Sequence, residues 1–487
     1  MSQLSKAKAG LIGLGVMGRN LALNLLNHQV PLAVYSYAEG ERNDFAASLE
    51  GKEMQGSAIQ DSSLRDLAEV THSLENFVAS LDCPRVILMM VTAGDAVDSV
   101  ISDLLPHLCS GDILIDGGNS HYKDTMRREV MLKQRSLNYI GTGISGGEQG
   151  ARNGASLMVG GSVDAFELAK PVFAALSTEA KGEPCFGHVG SDGAGHFVKM
   201  VHNGIEYGVM QLIAESYHFK KYQLGESNSQ IAETYSGWNE GRLRSYLLDI
   251  TADIFHQRDD LADGDLIDVI SDRAGQKGTG RWTVDAAMEL GVAVPGIVAA
   301  VTERQISGFD SVRQAAPGIT QATLADMDRD SWNDKLENAL YVSSLLVYVQ
   351  GLSLIQSASE EYGWQTDLSQ VIRLWRGGCI IRAEMLETLI IAANEKNPLH
   401  LVLSSVLQGE LQSRVNDWRE VVSSSILSGL PLPAMAASLN YVSSLHTSHL
   451  PLNLVQAQRD YFGAHTYQRR DRPGVFHTDW VAKNTKG

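Results

Sequence analysis

Short apolar runs alternate with amphipathic segments through the first 190 or so residues of the chain. The apolar runs have the length of buried strands, and the segments between them have the 3.6-residue period of helices. Strands that alternate with helices indicate a doubly wound parallel sheet, so we predict a Rossmann-like α/β domain. The predicted strands are Ala9–Ile12, Leu32–Tyr35, Val86–Val91, Ile113–Ile115 and Tyr139–Ile140, and the clearest helices between them are Gly18–Asn27 and Ala96–Leu105.

The pattern changes at about Gly193, after which long segments of helical period dominate. Two stretches of this half are alike, and we interpret them as an internal helical repeat. Chance similarity between amphipathic helices is the alternative. The first stretch contains Leu212-Ile213, Gln230-Ile231, Trp238-x-x-Gly241 and Arg244, which recur as Leu354-Ile355, Gln370-Val371, Trp375-x-x-Gly378 and Arg382.

The composition shifts again after about Ser448, where aromatic and basic residues collect and helical periodicity fades towards the end. A solvated tail is the usual structure of such a segment, but the aromatic residues favour docking on another surface. We therefore predict three parts: an α/β domain over residues 1–192, a large all-α domain over 193–447, and a C-terminal tail over 448–487.

The 487-residue chain carries a formal net charge of −17, and 44% of its residues are hydrophobic, enough for sizeable cores. This charge argues against nucleic acid or an anionic membrane as a partner, so an anionic ligand needs a local cluster of cations. We find no signal-peptide pattern and no uninterrupted apolar stretch of membrane-spanning length. The cysteines, which we expect to be reduced and mostly buried in a cytoplasmic protein, are Cys83, Cys109, Cys185 and Cys379.

A glycine motif follows the first predicted strand. Residues 13–18 read GxGxxG and open a predicted helix, which is the context that dinucleotide binding requires. Gly13 allows a tight turn, Gly15 lets the backbone approach a pyrophosphate, and Gly18 allows close packing of helix on strand. The helix N-terminus then supplies N–H donors to the phosphates. We predict a nicotinamide dinucleotide site here.

The end of the second strand normally distinguishes NAD from NADP, through an acidic residue for the ribose or an arginine for the 2′-phosphate. Neither signal stands in the sequence Tyr35-Ser36-Tyr37-Ala38. Ser36 and Arg42 can serve a phosphate, whereas Glu39 or Glu41 can serve a ribose. Both cofactors therefore stay open at this point.

The segment from Lys199 to Tyr207 is the most informative stretch of the helical half. Lys199, His202, Asn203 and Glu206 stand at i, i+3, i+4 and i+7, so they share one helix face. That stripe is usually apolar, but here it is polar throughout and contains an amine and a carboxylate. An ordinary solvated face is the alternative. Gly195, Gly204 and Gly208 argue against it, because they weaken the helix and a solvated face does not need them.

These residue types fit an oxidative decarboxylation. Oxidation of a hydroxyl β to a carboxylate gives a β-keto acid, which loses carbon dioxide and leaves an enol that must be protonated on carbon. The reaction needs a base, a donor to the developing oxyanion and a separate acid. Lys199 fills the first two roles if its pKa is lowered, and Glu206 can be the acid.

Four motifs carry a resemblance to the 6-phosphogluconate dehydrogenase (decarboxylating) family over almost the whole chain. The tail segment from Gln458 to His465 resembles that family as well. The motifs are Asp116-Gly117-Gly118-Asn119-Ser120, Ser145-Gly146-Gly147-Glu148, Gly195-His196-Phe197-Val198-Lys199 through Tyr207, and Gln276-Lys277-Gly278-Thr279-Gly280.

The resemblance implies oxidation of 6-phosphogluconate to ribulose 5-phosphate and carbon dioxide, a step of the pentose phosphate pathway and of gluconate utilization, with reduction of NADP or NAD. It implies Lys199 as general base and Glu206 as general acid. The implied ligands of the substrate carboxylate and hydroxyls are Asn119, Ser145, Gly146, Gly147, His202 and Asn203, and those of its phosphate are Tyr207, Lys277, Thr279 and Arg304.

The resemblance also implies an obligate homodimer in which Arg459 and His465 reach the partner subunit's active site. Lys277, Arg304 and Arg459 supply the local cations that an acidic chain needs for a phosphosugar acid. The implied cofactor contacts are Gly13, Gly15, Val16, Met17, Gly18, Ser36, Tyr37, Val91, Thr92, Ala93 and Asn119.

The chain departs from the family pattern at the cofactor. Members usually carry Asn-Arg-Thr where Ser36-Tyr37-Ala38 stands, and a lysine where Thr92 stands; both usual cations serve NADP phosphates. Each lost charge-assisted bond is worth about 1.5–3 kcal/mol, so NADP preference is an open question. Gln149 and Val159 also differ from the pattern, and nothing in the sequence explains them.

Two other functions compete with an active 6-phosphogluconate dehydrogenase. One is a β-hydroxyacid dehydrogenase for a non-phosphorylated substrate, against which Lys277, Arg304 and Arg459 argue. The other is a catalytically idle paralogue that binds a metabolite or partner, against which Lys199 and Glu206 argue. The sequence contains no HExxH motif, no Cys/His cluster and no close carboxylate set of the metal-site type. Because the amine of Lys199 can polarise the oxygen itself, we predict that no metal is required.

Overall fold

The computed structural model describes residues 6–50, 62–316, 327–395 and 399–480. The apolar runs of the first half form an eight-stranded sheet of order β10-β7-β6-β5-β4-β1-β2-β3. Neighbouring strands are parallel except β6 and β7, which are antiparallel. The strands are β1 (Ala9–Ile12), β2 (Leu32–Tyr35), β3 (Ala68–Val70), β4 (Val86–Met89), β5 (Ile113–Asp116), β6 (Asn138–Ser145), β7 (Ser156–Val159) and β10 (Phe186–His188).

Helices cover both faces of this sheet, which confirms the predicted doubly wound fold. One face buries a core that includes Leu21 and Phe173, and the other buries a core that includes Phe77 and Val97. The helices are α1 (Val16–Asn27), α2 (Glu39–Leu49), α3 (Leu74–Ala79), α4 (Asp95–Leu104), α5 (Tyr122–Lys133), α6 (Gly147–Asn153) and α7 (Val163–Leu176), and a small hairpin follows from β8 (Glu179–Ala180) and β9 (Glu183–Pro184).

The chain order of the strands reverses between β1 and β4, which are paired neighbours. Ligands of open α/β sheets bind outside the carboxyl ends of the strands at such a reversal. The glycine motif of residues 13–18 follows β1, the loop of residues 90–94 follows β4, and the loop of residues 117–121 follows β5. The fold therefore assembles three predicted ligand loops at one edge.

The second half is helical, as predicted from its periodicity. Two long helices, α8 and α14, pack against each other, and each is followed by a short helix, α9 and α15. This order fits the repeat predicted from the sequence. The helices are α8 (Ala194–Tyr222), α9 (Asn228–Trp238), α10 (Tyr246–His256), α11 (Thr279–Glu289), α12 (Pro295–Ser307), α13 (Asp310–Ala315), α14 (Arg329–Tyr362), α15 (Leu368–Leu374), α16 (Leu386–Asn394), α17 (Ser405–Ser428) and α18 (Pro433–Leu445).

The chain divides into two compact units, Met1–Ala437 and Ser438–Gly487. The second unit contains α19 (Leu452–Gly463) and a hairpin of β11 (Tyr467–Gln468) and β12 (Val475–Phe476). The buried carboxylate of Asp460 organises it, because it accepts hydrogen bonds from the backbone N–H groups of Thr466 and Thr478 and from the indole of Trp480. The predicted boundaries at residues 192 and 447 stay predictions.

One expectation from composition needs correction. Cys185 and Cys379 are buried, but Cys83 and Cys109 are exposed, so the cysteines are not mostly buried. The helix Arg329–Tyr362 is also long and apolar enough to cross a membrane by length and composition. Its apolar window is 89% buried inside the protein, which is typical of a core helix.

Arg128 on α5 is fully buried and links two of the ligand loops. Its guanidinium donates to both carboxylate oxygens of Asp98, at 3.0 and 2.8 Å, and to the carbonyl oxygen of Gly94 at 2.9 Å. Its Nη1 lies 3.6 Å from the buried carboxylate of Asp116, which also accepts a 2.6 Å hydrogen bond from Ser120. The hydrogen bond from Arg128 lowers the pKa of Asp98 to about 2.

We predict that Arg128→Met lowers the free energy of unfolding by about 3–5 kcal/mol, because it leaves buried carboxylate charge without its partner. Arg127→Met is the matched control, since the neighbouring arginine binds the same Asp98 from a side chain that is 53% exposed. That exposed pair should contribute less than about 1 kcal/mol. Urea unfolding measures both, and equal losses would contradict the role of Arg128.

Candidate active site

The glycine loop after β1 has the shape of a dinucleotide cradle. Gly13 has a positive φ of 95°, and a Cβ there would lie 2.4 Å from the carbonyl oxygen of Met90. A Cβ on Gly18 would lie 1.9 Å from the carbonyl oxygen of Gly13. Gly15 is the N-cap of α1 and has no side-chain cap, so the N–H groups of the first turn, which begins at Val16, have no side-chain acceptor. These residues fit a pyrophosphate as the motif predicts.

The loops after β4 and β5 come together beside this cradle. A Cβ on Gly118 would lie 3.2 Å from the carbonyl oxygen of Val91. Thr92 is exposed between Val91 and Ala93, and Asn119 is exposed one residue after Gly118. The glycine loop and the loops after β4 and β5, which carry predicted cofactor residues, therefore lie close together.

The β2–α2 turn, residues 36–41, carries an unexpected contact. The Oε2 atom of Glu41 accepts a 2.5 Å hydrogen bond from the hydroxyl of Ser36 and a 3.3 Å hydrogen bond from the backbone N–H of Leu14. Arg42 donates to the carbonyl oxygen of Ser36, and its guanidinium lies over the ring of Tyr35. Ser36 thus binds a carboxylate of its own chain.

The polar stripe of α8 is buried rather than solvated. Lys199 is 7% exposed, His202 is fully buried, and Asn203 and Glu206 are partly buried. The solvated-face alternative is therefore wrong for this helix. Burial of an amine and a carboxylate on one face is typical of a functional site.

Glycines let α8 lie against its neighbours at backbone distance. A Cβ on Gly195 would lie 2.2 Å from the carbonyl oxygen of Gly141, and one on Gly143 of β6 would lie 2.3 Å from Cβ of Lys199. A Cβ on Gly204 or Gly208 would meet side chains of α11 and α14 at 2.6 and 2.5 Å. The glycines that weaken the helix therefore fix the position of Lys199 on the sheet.

Burial brings the pKa values of the two ionisable groups of the stripe closer together. It lowers the pKa of Lys199, an effect that the carboxylate charge of Glu206 opposes. It raises the pKa of Glu206, against the charges of Lys199 and Arg304. No hydrogen bond contributes to either shift. The lysine is thereby suited to act as a base and the glutamate to hold a proton.

A chain of hydrogen bonds crosses the site from β6 to α11. The hydroxyl of Ser145 lies 3.2 Å from Nε2 of His202, whose Nδ1 lies 3.2 Å from Oδ1 of Asn203. The amide nitrogen of Asn203 donates to the hydroxyl of Thr279 at 3.3 Å. Burial lowers the pKa of His202 well below its usual value, so the ring is neutral. With Nδ1 as donor, all three links are satisfied.

A cation lies at the far end of the stripe. The guanidinium carbon of Arg304 on α12 stands 3.4 Å from the centre of the buried Tyr207 ring. The ring packs against Gly280, where a Cβ would approach it to 2.5 Å. Arg304 is only partly buried, so its remaining donors can face a ligand. The predicted phosphate residues Tyr207, Thr279 and Arg304 thus surround one end of the site.

The remaining predicted residues lie on loops or in the second unit. Gly147 is exposed at the start of α6, and Lys277 is exposed in the loop that precedes α11. Arg459 and His465 lie in the unit Ser438–Gly487; Arg459 donates to Gln456 at 3.2 Å, and His465 packs on Phe462. Their predicted roles at a partner's site stay predictions.

The structure adds residues that the sequence motifs did not single out. The indole of Trp375 packs edge-on against His202 with ring centres 5.8 Å apart, and the thiol of Cys379, whose pKa burial raises to about 12, is buried near Lys199. The hydroxyl of Thr283 donates to the carbonyl oxygen of Met200 at 2.9 Å. The sequence signal for this region was the repeat motif Trp375-x-x-Gly378. The structure places that motif at the site, because a Cβ on Gly146 would lie 2.6 Å from the carbonyl oxygen of Gly378.

A metal is not evident at this site. Among residues 6–50, 62–316, 327–395 and 399–480, no group of three or more His, Cys, Asp or Glu side chains is arranged to hold one. That the reaction requires no metal stays a prediction.

The glycine loop forms a dinucleotide cradle on a doubly wound sheet, and the helical half carries a lysine and a glutamate on one largely buried helix face. Together these features define the class of the protein as a pyridine-nucleotide dehydrogenase. Family models agree: residues 8–190 match the NAD binding domain of 6-phosphogluconate dehydrogenase, and residues 195–480 match the C-terminal domain of 6-phosphogluconate dehydrogenase. The chain belongs to the 6-phosphogluconate dehydrogenase family.

Individual relatives match over nearly their whole length. The NADP(+)-dependent, decarboxylating 6-phosphogluconate dehydrogenase of Bacillus subtilis is 44% identical over 98% of this chain and 100% of the relative. The decarboxylating enzyme of Synechococcus elongatus is 45% identical over 97% of this chain and 98% of the relative. The solved 6-phosphogluconate dehydrogenase of Plasmodium falciparum superposes with a TM-score of 0.92, at 39% identity over 97% of this chain and 100% of that one; it was described in its apo form, with NADP+ and with 6-phosphogluconate.

Proposed function

We propose that this protein oxidises and decarboxylates 6-phosphogluconate to ribulose 5-phosphate and carbon dioxide. The observation that carries the proposal is the buried Lys199 and the partly buried Glu206 on one face of α8, with Arg304 beyond them. The amine, the carboxylic acid and the phosphate-binding cation are the three groups that this substrate requires. A bound nicotinamide dinucleotide would be held by the glycine loop and would accept a hydride from C3 of the sugar acid.

Lys199 is the proposed general base. Its amine accepts the proton of the C3 hydroxyl as that carbon is oxidised, because burial has lowered its pKa and favours the neutral form. The ammonium that results donates to the carbonyl oxygen at C3. It then stabilises the negative charge that collects on this oxygen when the C1–C2 bond breaks and carbon dioxide leaves.

Glu206 is the proposed general acid. Loss of carbon dioxide leaves an enediol, which gains a proton at the carbon that becomes C1 of ribulose 5-phosphate. Glu206 lies nearly two helical turns beyond Lys199, so the two groups can address different atoms of one substrate. Its raised pKa favours the protonated carboxyl that this step consumes.

The hydrogen-bond chain supports a role in substrate orientation. Because Ser145 donates to His202, the lone pairs of the serine remain for a substrate hydroxyl. Because Thr279 accepts from Asn203, its own hydroxyl hydrogen remains for a phosphate oxygen. Asn119, Gly146, Gly147 and Lys277 are the proposed further ligands, since they stand in the motifs that carry the family resemblance, and Asn119, Gly147 and Lys277 are exposed.

Arg304→Leu should weaken binding of 6-phosphogluconate by about 100-fold in KM, since it removes charge-assisted hydrogen bonds to the phosphate. The effect on the non-phosphorylated analogue gluconate should be small. Arg281→Leu is the control, because that exposed arginine of α11 lies 3.8 Å from Asp285 in a surface pair. Steady-state kinetics measure the change in KM for 6-phosphogluconate and for gluconate in each variant. An equal effect on gluconate would contradict phosphate recognition by Arg304.

We further propose a cytoplasmic homodimer whose tails complete each other's active sites. Large apolar side chains stand exposed on the second unit, including Leu454, Tyr461 and Phe462 at 61, 61 and 72%, which supports burial against a partner. The four free cysteines fit a reducing compartment. The acceptor is NADP or NAD, and the relatives' names do not decide between them for this chain.

The direct test is reduction of either dinucleotide in the presence of 6-phosphogluconate, gluconate or 3-hydroxyisobutyrate, followed at 340 nm. We expect turnover with 6-phosphogluconate at least about 100-fold more efficient than with the other two. Preference for a non-phosphorylated acid would favour a different β-hydroxyacid dehydrogenase. Binding without turnover would favour an idle paralogue.

A further inference from the structure

We propose that the carboxylate of Glu41 accepts hydrogen bonds from the adenosine ribose and that this chain therefore prefers NAD over NADP. The inference rests on the proposed function only in that the glycine loop must hold a nicotinamide dinucleotide. In dinucleotide folds, a carboxylate roughly 20 residues beyond the glycine motif accepts hydrogen bonds from the ribose hydroxyls. Glu39 and Glu41 both have suitable spacing, and the geometry selects Glu41.

The contacts of Glu41 hold its carboxylate beside the glycine loop. Oε2 is fixed by the N–H of Leu14 and the hydroxyl of Ser36. Oε1 lies 3.8 Å from the position that a Cβ of Gly15 would take, so it faces the cradle. One oxygen is thus a positioned acceptor at the place where β1 and β2 end together. Glu39, in contrast, is exposed on the same helical turn.

The same turn is unsuited to a 2′-phosphate, which carries about −1.5 to −2 charges at pH 7. A helix N-terminus usually favours the binding of phosphate. The first turn of α2, however, contains the carboxylates of Glu39 and Glu41, which repel it. Tyr37 donates a 2.7 Å hydrogen bond to Asp103 of α4, which adds a third carboxylate nearby. Arg42, which follows this turn in α2, already donates to the carbonyl oxygen of Ser36, and its guanidinium lies over the ring of Tyr35.

These contacts predict tighter binding of NADH than of NADPH by about 30-fold or more, because a juxtaposed like charge is strongly unfavourable. Fluorescence titration of the full-length protein with each reduced dinucleotide measures this without substrate or turnover. Glu41→Gln should reduce the preference for NADH by about 10-fold, since the amide also presents donors to the ribose. The double variant Tyr37→Arg, Glu41→Gln should bind NADPH more tightly than NADH.

Glu39→Gln is the matched control, because it removes one charge from the same turn without touching the loop. The inference is overturned if the wild type binds NADPH as tightly as NADH, or if Glu41→Gln changes the ratio no more than Glu39→Gln. Such results would leave the proposed function intact. Failure to bind either dinucleotide would instead overturn the proposed function itself.

Discussion

Lys199→Met should reduce turnover of 6-phosphogluconate by about 10⁴-fold or more. A general base contributes about 10²–10⁴-fold and a donor to a developing oxyanion about 10²–10³-fold, and Lys199 fills both roles. Binding of reduced dinucleotide should be unchanged, because the glycine loop lies on a different element. Stopped-flow absorbance at 340 nm should show no burst of reduced cofactor in this variant.

Two further variants separate the roles of Lys199. Lys199→Arg keeps a cation but cannot lose its proton, so it should also lack the burst. Lys221→Met, on the same helix, removes an amine that binds Asn228 at 2.8 Å, and it should retain full turnover. A wild-type burst in Lys199→Arg would contradict the base and leave Lys199 only an electrostatic role.

The pH dependence of the burst follows from the lowered pKa of Lys199. The neutral amine is the active form, so the rate of hydride transfer should rise with pH and level off below the ordinary lysine pKa of 10.5. Stopped-flow rates across this range test the direction. A rate that falls as the amine deprotonates would contradict the assignment.

Glu206→Gln should reduce steady-state turnover by about 10³-fold and leave the first-turnover burst in place. The amide cannot protonate the enediol, but oxidation and decarboxylation precede that step. In deuterated water, the wild type should place deuterium at C1 of ribulose 5-phosphate with one stereochemistry. The variant should give a mixture, because solvent then protonates either face.

Glu303→Gln is the control for this variant, since burial also raises the pKa of Glu303, next to Arg304. It should retain turnover and stereochemistry. Loss of the burst in Glu206→Gln would move Glu206 to the oxidation step and contradict its assignment as the acid for carbon. NMR of the product and stopped-flow absorbance distinguish these outcomes.

Periodicity located some strands well and others poorly, for a physical reason. Ala9–Ile12 and Leu32–Tyr35 are uniformly apolar and were predicted with the bounds that the structure has. The fifth predicted strand, Tyr139–Ile140, is in fact Asn138–Ser145. Its extension contains Gly141 and Gly143, which have low strand propensity but are required because His196 and Lys199 pack directly on them.

The polar site was only partly readable from the sequence. Spacing placed Lys199, His202 and Glu206 on one face, but it could not decide between solvent and burial, since that depends on α11, α12 and α14 packed around α8. The choice between Glu39 and Glu41 likewise depended on the contact of Glu41, in the first turn of α2, with Leu14 of the glycine loop. Trp375 is a third case, because its repeat motif was visible while its contact with His202 was not.

The site is expected to couple oxidation of 6-phosphogluconate to loss of its carboxyl carbon. The measurement is a reaction with 6-phosphogluconate labelled with ¹³C at C1, in which labelled carbon dioxide and reduced dinucleotide are quantified together. The wild type should release them in a one-to-one ratio, and Lys199→Met should release neither. Reduced dinucleotide without labelled carbon dioxide would contradict this coupling, and undiminished release by Lys199→Met would contradict the role of Lys199 in it.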